Sequence, residues 1–293
     1  MRVTVTGGRG LIGSAIVAAL RARGDEVTLL GRSGGDGSVG WEALGGPAPA
    51  AALEGRDAVI HLAGEPIAQR WSAPARTAIA TSRTTGTANL VAGIAAAARP
   101  PRVLVCANAV GYYGDRGEEL LTEDSHPGAD WLAGVCVGWE RAALAAREHG
   151  ARVCVLRTGV VLDARGGALA KMLPPFRLGV GGPVAGGRQR VAWIGLPDLC
   201  GLYLAALDDA RFDGAFNACA PDAATNAELS RALGRALHRP ALLPVPGAAL
   251  RLLYGEMAEI VTASQNAVPA RALALGHRFA HPDLDDALAQ ALG

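Results

Sequence analysis

The sequence has little of what marks several classes of protein. Its formal net charge is only +1, and its charged residues form no basic block. A chain so close to neutral lacks the positive surface with which proteins hold nucleic acid. No apolar run reaches the roughly 18 residues that a membrane-spanning helix needs. We therefore expect neither nucleic acid nor a membrane among its partners.

Cysteine is also scarce, and no two cysteines have the close spacing of a metal site. The five are Cys106, Cys136, Cys154, Cys200 and Cys219. Without a C-x-x-C pair they predict no structural zinc, and they fit small apolar packing residues in a reduced compartment. The first predicted strand begins at Arg2, which leaves no room for a signal peptide. We expect a cytoplasmic protein without a metal.

Lysine is nearly absent, since Lys171 is the only lysine among 28 basic residues. Its amine can lose a proton or act as a compact point charge, which a guanidinium does not do. Lys171 therefore either marks a site at which arginine would not serve or is a surface lysine without a special role.

Glycine, by contrast, is abundant, and three glycines near the start are spaced for a phosphate-binding turn. Residues 1–13 read MRVTVTGGRGLIG, an apolar strand followed by Gly7, Gly10 and Gly13, and a helix is predicted over Leu11–Arg23. Glycine lets the backbone approach a pyrophosphate closely, and the helix N-terminus offers free N–H groups. A chance turn is the alternative, but the flanking strand and helix favour dinucleotide binding.

Apolar strands alternate with helical patterns along the first two thirds of the chain. Further strands are predicted at Val27–Leu30, Asp57–Leu62, Arg102–Ala107, Ala151–Leu156 and Ala215–Ala220, and helices at about 73–98, 131–149 and 198–209. Continuous β-branched runs between amphipathic helices predict a parallel sheet that is buried on both faces. The expected fold class is α/β, a doubly wound sheet of Rossmann type.

The sequence pattern changes after Arg157, where glycine and proline pairs interrupt the alternation of strands and helices. We predict a dinucleotide-binding domain over residues 1–160, to which residues 190–220 return. A smaller and mostly helical lobe over 161–189 and 221–293 would cover the carboxyl ends of the strands, where ligands bind in such sheets. The Gly34–Gly46 segment is predicted to be a flexible loop.

The residue that ends the second strand selects the dinucleotide. An acid there bonds the ribose 2′-OH of NAD, whereas an arginine accommodates the 2′-phosphate of NADP. Arg32 and Ser33 follow this strand, and Arg9 lies in the glycine turn. These residues favour NADP(H), with a solvated Arg32 as the alternative. The predicted cofactor residues are Gly7, Arg9, Gly10, Leu11, Ile12, Gly13, Arg32, Ser33, Leu62, Ala63, Gly64, Gly159 and Val160.

Several motifs give the chain a family resemblance. T-G-G-x-G-x-I-G, then H-L-A-G at His61–Gly64 and G-T-x-N-L at Gly86–Leu90, resemble the extended short-chain dehydrogenase/reductase superfamily. A narrower resemblance is to the atypical subgroup known as "epimerase family protein". The segments that carry it are Ala109–Gly114, Leu156–Leu162, Gly167–Gly182, Gly187–Leu199, Thr225–Leu237 and Leu243–Leu288.

The resemblance implies NADP(H) binding but not the usual chemistry of the superfamily. That chemistry uses Tyr-x-x-x-Lys on a helix, with a serine at a strand end. The tyrosine and lysine positions fall on Leu132 and Cys136, and the serine position on Asn108. The arginine that clamps the diphosphate of nucleotide sugars falls on Val191, although Arg188 and Arg190 stand close by. We therefore do not expect a nucleotide sugar as the substrate.

Other residues are candidates for the missing proton donor. Tyr112 follows a strand end near the nicotinamide side of the cleft. The resemblance implies that the segment with Lys171 borders the substrate pocket, where its amine would lower the pKa of the Tyr112 phenol. The amide of Asn108 would hydrogen-bond a substrate carbonyl. Alternatively, Tyr112 and Tyr113 only shape the pocket, and Lys171 binds an anion or solvent. Glu65 is a loop acid or a substrate contact.

Two functional classes remain open at this point. The first is an NADP(H)-dependent oxidoreductase or epimerase that acts on an unknown small molecule with a relocated proton donor. The second is a non-catalytic NADPH-binding regulatory or sensor protein. His61 serves neither, because it precedes a turn inside a buried strand and is expected to be a hydrogen-bonded core histidine. The chain could be a monomer or a homodimer.

Overall fold

A computed structural model describes residues 1–35 and 37–293, and it places a parallel sheet at the centre. In chain order the strands are β1 (Arg2–Thr6), β2 (Glu26–Gly31), β3 (Ser38–Gly40), β4 (Ala58–His61), β5 (Val103–Ala109), β6 (Leu120–Leu121), β7 (Arg152–Thr158), β8 (Val160–Leu162), β9 (Arg190–Val191), β10 (Trp193–Gly195), β11 (Gly214–Ala218), β12 (Ala224–Thr225) and β13 (Asn266–Ala267). Seven of them form the central sheet in the order β11–β7–β5–β4–β1–β2–β3, with all neighbours parallel. The predicted fold class is confirmed.

Helices cover both faces of this sheet. They are α1 (Leu11–Ala22), α2 (Ala50–Leu53), α3 (Ala73–Ala96), α4 (Trp131–Leu144), α5 (Gly167–Arg177), α6 (Leu196–Asp208), α7 (Asn226–Ala236), α8 (Gly247–Tyr254), α9 (Glu259–Thr262), α10 (Ala270–Ala274) and α11 (Leu284–Leu292), with 3₁₀ turns at Val110–Tyr113, Ala145–His149 and Gly255–Ala258. In the part of the chain that the structure describes, no helix is both long and apolar enough to cross a membrane.

Side chains of the strands alternate between two helix layers, as the period of two requires. Val3 and Val5 pack with α1 and α6 on one face. Val59 and Leu104 pack with α2, α3 and α4 on the other. Both layers are fully buried at the strands, so the sheet core is apolar on both sides.

The strand order reverses between β1 and β4. From β1 the chain proceeds to β2 and β3 on one side, and the later strands lie on the other side. The connections on the two sides diverge above this point, which opens a crevice at the carboxyl ends of β1 and β4. This crevice is where the fold positions a ligand.

The remaining elements build a second apolar cluster beyond the strand ends. Leu169 and Phe176 of α5, Leu229 of α7 and Leu288 of α11 pack around the buried Trp193. Pro174 and Pro175, predicted to interrupt this region, lie inside α5 instead. Within 190–220, β11 is the edge strand of the central sheet. In the C-terminal segment, β13 pairs with β6 in a separate two-stranded sheet, and Ala272 is buried in the sheet core with Phe212 and Phe216.

The Gly34–Gly46 segment is more ordered than predicted. Ser38–Gly40 forms β3 at the sheet edge, paired with β2. Trp41 is only 7% exposed, and its indole Nε1 donates to the carbonyl of Gly46 at 3.0 Å. The prediction of a flexible loop is therefore wrong for residues 38–46, because pairing to β2 and burial of one aromatic ring fix the chain. Asp36 lies outside the described residues.

Candidate functional site

A cleft of about 560 Å³ lies over the carboxyl ends of β1, β2 and β4. The residues that line it come from five stretches of the chain and include most of the predicted cofactor residues. They are Gly7, Gly8, Arg9, Gly10, Leu29, Leu30, Gly31, Arg32, Ser33, Ser38, Trp41, Glu42, Ala43, Leu44, Leu62, Ala63, Gly64, Glu65, Pro66, Ala78 and Ser82. Its position is the switch point at which a doubly wound sheet binds ligands.

The glycine turn forms the floor of the cleft. Gly7 has φ +67°, a left-handed conformation that strains other residues. A Cβ on Gly13 would lie 2.2 Å from the carbonyl oxygen of Gly7, so only glycine lets α1 pack this closely. Gly10 is the N-cap of α1, and no side chain caps this helix or places an acid in its first turn. Its free N–H groups can therefore bind an anion.

Polar side chains gather at the β2–β3 end of the cleft. Nη1 of Arg9 donates to Oγ of Ser33 at 2.8 Å, and Nη2 reaches Oγ of Ser38 at 3.5 Å. Arg32 is exposed beside them. Two guanidinium groups and two hydroxyls at one place make a group of donors suited to a phosphate.

The other predicted cofactor residues lie away from the lining of this cleft. Leu11, Ile12 and Gly13 form the first turn of α1. The backbone N–H of Gly159 donates to Ala218, and that of Val160 donates to Ala192. Gly159 directly follows β7 and Val160 begins β8, further along the sheet edge. Their contact with a cofactor stays a prediction.

Sequence reasoning missed the contribution of residues 38–44 to the lining. The signal that could have found them is Trp41, an aromatic residue within a glycine-rich segment. A tryptophan buries a large apolar area, so it predicts a segment held against the fold.

A hydrogen-bonded chain of Thr6, His61 and Thr87 supports the turn after β4. Oγ1 of Thr6 lies 2.7 Å from Nδ1 of His61, and Nε2 of His61 lies 2.9 Å from Oγ1 of Thr87. The Thr6 oxygen also accepts the backbone N–H groups of residues 62 and 63, both at 3.1 Å. Because these use its lone pairs, its hydrogen points to Nδ1, and His61 carries its proton on Nε2. The predicted core histidine is confirmed.

Burial lowers the pKa of His61 to about 4. An unfolded chain takes up this proton near pH 6.5, so between the two values the unfolded state binds more protons. The contribution is therefore fully present above pH 6.5 and lost as the pH falls toward 4. We expect the free energy of unfolding to drop by up to about 3 kcal/mol across this window for this residue.

The His61→Gln variant measures how much His61 contributes to this pH dependence of the free energy of unfolding. We expect it to be less stable than the parent at pH 7.5. Because it lacks the titrating ring, the difference in the free energy of unfolding between the two proteins should shrink as the pH falls to 4. Urea unfolding at half-unit pH steps measures it. Parallel stability profiles for parent and variant would contradict a neutral, buried His61.

A second polar cluster lies at the ends of β5 and β7 and centres on Arg157, which is 3% exposed. Glu140 of α4 receives its Nη2 at 2.8 Å and its Nε at 3.0 Å, a bidentate pair. Although burial by itself lowers the pKa of Arg157, these hydrogen bonds outweigh it and raise the pKa above its ordinary value. Sequence reasoning missed this pair, although a charged residue after the apolar run of β7 is its signal.

The two neighbouring tyrosines have different environments. Tyr113 is fully buried, its hydroxyl donates to Oδ1 of Asn217 at 2.7 Å, and it accepts from Nη1 of Arg157 at 2.9 Å. Burial raises the pKa of Tyr113 to about 12, so its phenol keeps its proton at neutral pH, and that hydrogen is already donated to Asn217. Tyr112 is half-buried, and the guanidinium carbon of Arg157 lies 3.5 Å from the centre of its ring.

In the structure the side chain of Asn108 is bonded within the protein, and its predicted contact with a substrate stays a prediction. This side chain is 3% exposed, and its Nδ2 donates to the carbonyl of Cys136 at 3.1 Å and to Oε2 of Glu140 at 3.4 Å. Its Oδ1 accepts the backbone N–H of Ala109 at 2.8 Å. Because these protein contacts take both amide hydrogens, Asn108 joins β5 to α4 in this structure.

Lys171, predicted to support Tyr112, makes a different contact in the structure. Nζ of Lys171, on the exposed side of α5, donates to the carbonyl of Ala68 at 2.9 Å. Over residues 1–35 and 37–293, no hydrogen bond joins Lys171 to Tyr112. The amine instead fastens α5 to the loop after β4, a contact between residues 103 apart in sequence.

Val191 lies in β9, at the predicted position of the diphosphate clamp. Of its two basic neighbours, Arg190 forms an ion pair with Glu118 at 2.9 Å, and Arg188 is exposed.

Comparison with known proteins agrees with this geometry. Residues 3–219 match the model of the NAD dependent epimerase/dehydratase family. The chain belongs to this family. Residues 245–291 match a further model, a domain of unknown function (DUF1731). The family segment ends just after β11, so it contains the whole central sheet and the cleft.

Individual relatives cover the full chain. The epimerase family protein SDR39U1 of Bos taurus is 40% identical over an alignment of 299 positions, which covers all of this chain and all of the relative. The crystal structure of human SDR39U1 (isoform 2) with NADPH has a TM-score of 0.92 and 38% identity, with both chains fully covered. The nucleoside-diphosphate sugar epimerase of Corynebacterium glutamicum has a TM-score of 0.82 and 36% identity, over all of this chain and 58% of that one.

Proposed function

We propose that this protein binds NADP(H) in the cleft and is an oxidoreductase or epimerase that acts on a small molecule without the Tyr-x-x-x-Lys pair. The observation that carries the proposal is the cradle of Gly7, Gly10 and Gly13, which a Cβ at Gly13 would fill. It opens on an uncapped helix N-terminus with Arg9 and Arg32 to one side. Human SDR39U1, whose structure contains NADPH, supports the same cofactor.

Different residues at the strand ends would bind different parts of the cofactor. The first turn of α1 would hold the diphosphate, and Arg9, Arg32 and the nearby serine hydroxyls would hold the 2′-phosphate. The Thr6–His61 chain fixes the backbone at Leu62 and Ala63. When bound, NADP(H) supplies reversible hydride transfer.

The selectivity for the 2′-phosphate gives a first test. We expect NADPH to bind more tightly than NADH, and Arg32→Asp to reverse this preference, because it replaces a phosphate partner by an acid that bonds a ribose hydroxyl. The lost charge-assisted contact should cost roughly 1.5–3 kcal/mol. Isothermal titration with both cofactors measures it. Equal affinities in the parent protein would contradict the proposal.

A second pocket of about 320 Å³ suits the small-molecule partner. It is lined by Trp71, Gly111 and Leu132 and, from the C-terminal segment, by Arg251 and by Glu259, Ile260, Thr262, Ala263 and Gln265. Leu132 occupies the position of the superfamily tyrosine, so this pocket lacks the usual donor. We propose it as the substrate site, and we keep Tyr112, next to Gly111, as the proton donor.

Hydride transfer to a carbonyl leaves an oxyanion that must be protonated or held. The guanidinium of Arg157 stacks on the ring of Tyr112, whereas the hydroxyl of Tyr113 is already bonded. On a substrate found by screening with NADPH oxidation, Tyr112→Phe should lower kcat about 100-fold or more while the Kd of NADPH stays unchanged. Full activity in this variant would exclude Tyr112.

The alternative is a non-catalytic NADPH-binding regulatory or sensor protein. The observation that favours it is that Asn108 and Lys171 are both bonded within the protein. If screening yields no turnover and NADPH changes the binding of a protein partner, this function is the better one.

We do not extend the nucleoside-diphosphate sugar named for the Corynebacterium glutamicum relative to this chain. Val191 offers no charge for a diphosphate, and Arg190 is already paired with Glu118. The substrate we propose therefore lacks a nucleotide diphosphate.

A further inference from the structure

Arg83, in the middle of α3, has a mostly buried guanidinium without a carboxylate partner. Its Nη1 donates to the carbonyls of Glu65 at 3.0 Å and Ile79 at 3.2 Å, and its Cζ lies 5.0 Å from the centre of the Trp139 ring. Among residues 1–35 and 37–293, no carboxylate lies within ion-pair distance, and Nε and Nη2 make no hydrogen bond. Donors of this cation therefore remain free.

Arg157 is a buried arginine with a structural role, and its surroundings differ from those of Arg83. The carboxylate of Glu140 accepts two hydrogen bonds from its guanidinium. The hydrogen-bond partners of Arg83 are neutral carbonyls, and burial lowers its pKa more than the nearby charge of Glu65 raises it. Nε and Nη2 of Arg83 therefore have no acceptor within the described part of the protein, and a partly buried cation with free donors is available to a ligand that supplies an acceptor.

The guanidinium lies directly behind the lining of the cleft. A Cβ on Gly64 would be 3.3 Å from Cζ of Arg83, so the missing side chain of Gly64 leaves the cation reachable from the cleft. Ser82, the residue before Arg83, lines the cleft, and its hydroxyl oxygen accepts the backbone N–H of Glu65 at 3.0 Å.

Strand order decides which part of a dinucleotide comes to this place. Arg9, Arg32 and Ser33 lie at the β2–β3 end, the glycine turn follows β1, and Gly64 follows β4 on the opposite side. If the 2′-phosphate lies at the β2–β3 end and the diphosphate at the glycine turn, the nicotinamide half of the cofactor extends to Gly64. On α4, the facing helix, burial raises the pKa of Cys136 to about 12, so that thiol is uncharged and supplies no charge there.

We propose that Arg83 binds the nicotinamide half of NADP(H), donating from its free guanidinium nitrogens to the phosphate and ribose oxygens that lie over Gly64. This inference rests on the proposed function, since it assigns a residue to the cofactor bound there. It adds a cation from α3, which the glycine turn and the arginines at the β2–β3 end do not provide.

The test compares two ligands that share one half. Adenosine 2′,5′-bisphosphate contains the 2′-phosphate half of NADPH but lacks the nicotinamide half. Titration calorimetry would measure the Kd of both ligands for the parent, Arg83→Met, Arg83→Lys and the control Arg99→Met, whose exposed side chain pairs with Glu54 outside the cleft. Thermal unfolding without ligand reports the integrity of each variant.

We expect Arg83→Met to raise the Kd of NADPH about 10-fold or more and to leave that of adenosine 2′,5′-bisphosphate within about 2-fold. Arg83→Lys keeps the charge but not the fork and should fall between parent and Arg83→Met, which also covers the case that Arg83→Met does not fold. Equal weakening of both ligands, or of neither, would overturn the proposal. If the parent bound neither ligand, the proposed function itself would fail.

Discussion

Gly13→Ala should lower the affinity for NADPH at least about 100-fold. The added Cβ would lie 2.2 Å from the carbonyl oxygen of Gly7 and 2.7 Å from Cα of Gly8, both of them rigid backbone atoms. The turn or α1 must therefore move, and the N–H groups of the first helical turn lose their alignment to the diphosphate. Losing two such charge-assisted contacts, each worth roughly 1.5–3 kcal/mol, accounts for the effect. Titration calorimetry with NADPH measures it.

Gly134→Ala is the matched control, since Gly134 is also a helical glycine but nothing lies within 4 Å of its Cβ position. This variant should bind NADPH like the parent and gain about 0.5–1 kcal/mol of stability from reduced backbone entropy in the unfolded state. Undiminished NADPH affinity in Gly13→Ala would show that the glycine turn does not hold the cofactor.

Glu140→Ala should lower the free energy of unfolding by about 3–5 kcal/mol. The change leaves the guanidinium of Arg157 buried without a counter-charge and also removes an acceptor of Asn108. Because this arginine holds both neighbouring tyrosines, near-ultraviolet circular dichroism of the variant should also change. Urea unfolding measures the loss of stability.

Asp213→Asn provides the comparison with an exposed ion pair. Asp213 pairs with Arg147 at 2.6 Å, but the two side chains are 51% and 46% exposed. Water screens this pair, so its loss should cost less than about 1 kcal/mol. If Glu140→Ala cost no more than Asp213→Asn, Arg157 would have to be solvated or neutralised in another way.

The parts of this protein that the sequence predicted depend on short stretches of chain. The glycine turn, the strands on either side of it and the parallel sheet follow from residue spacing over about 10 to 20 positions. The buried histidine could be predicted in the same way, because His61 precedes a turn inside an apolar strand and is fully buried. Arg9, Arg32 and Ser33 lie within the same short strand–turn–helix–strand unit and do line the cleft.

The sequence did not show the hydrogen-bond partners of side chains whose contacts lie far away along the chain. Lys171 and Ala68 are separated by 103 residues, and no local pattern shows that the amine reaches that carbonyl instead of Tyr112. Asn108 was predicted to face a substrate because it ends a strand. Which way its amide points depends on how α4 packs against β5, which is not encoded in the spacing of either element.

The sequence by itself determined the class of fold, the glycine cradle and the arginines beside it, because backbone conformation and hydrophobic period are local properties. Only the tertiary structure decided which charges are paired. Arg157 meets Glu140 and Arg83 meets no carboxylate, although both are single arginines within mostly apolar or neutral stretches. The difference arises from the rotation and packing of α3 and α4 against the sheet, and that packing decides which buried cation is left for a ligand.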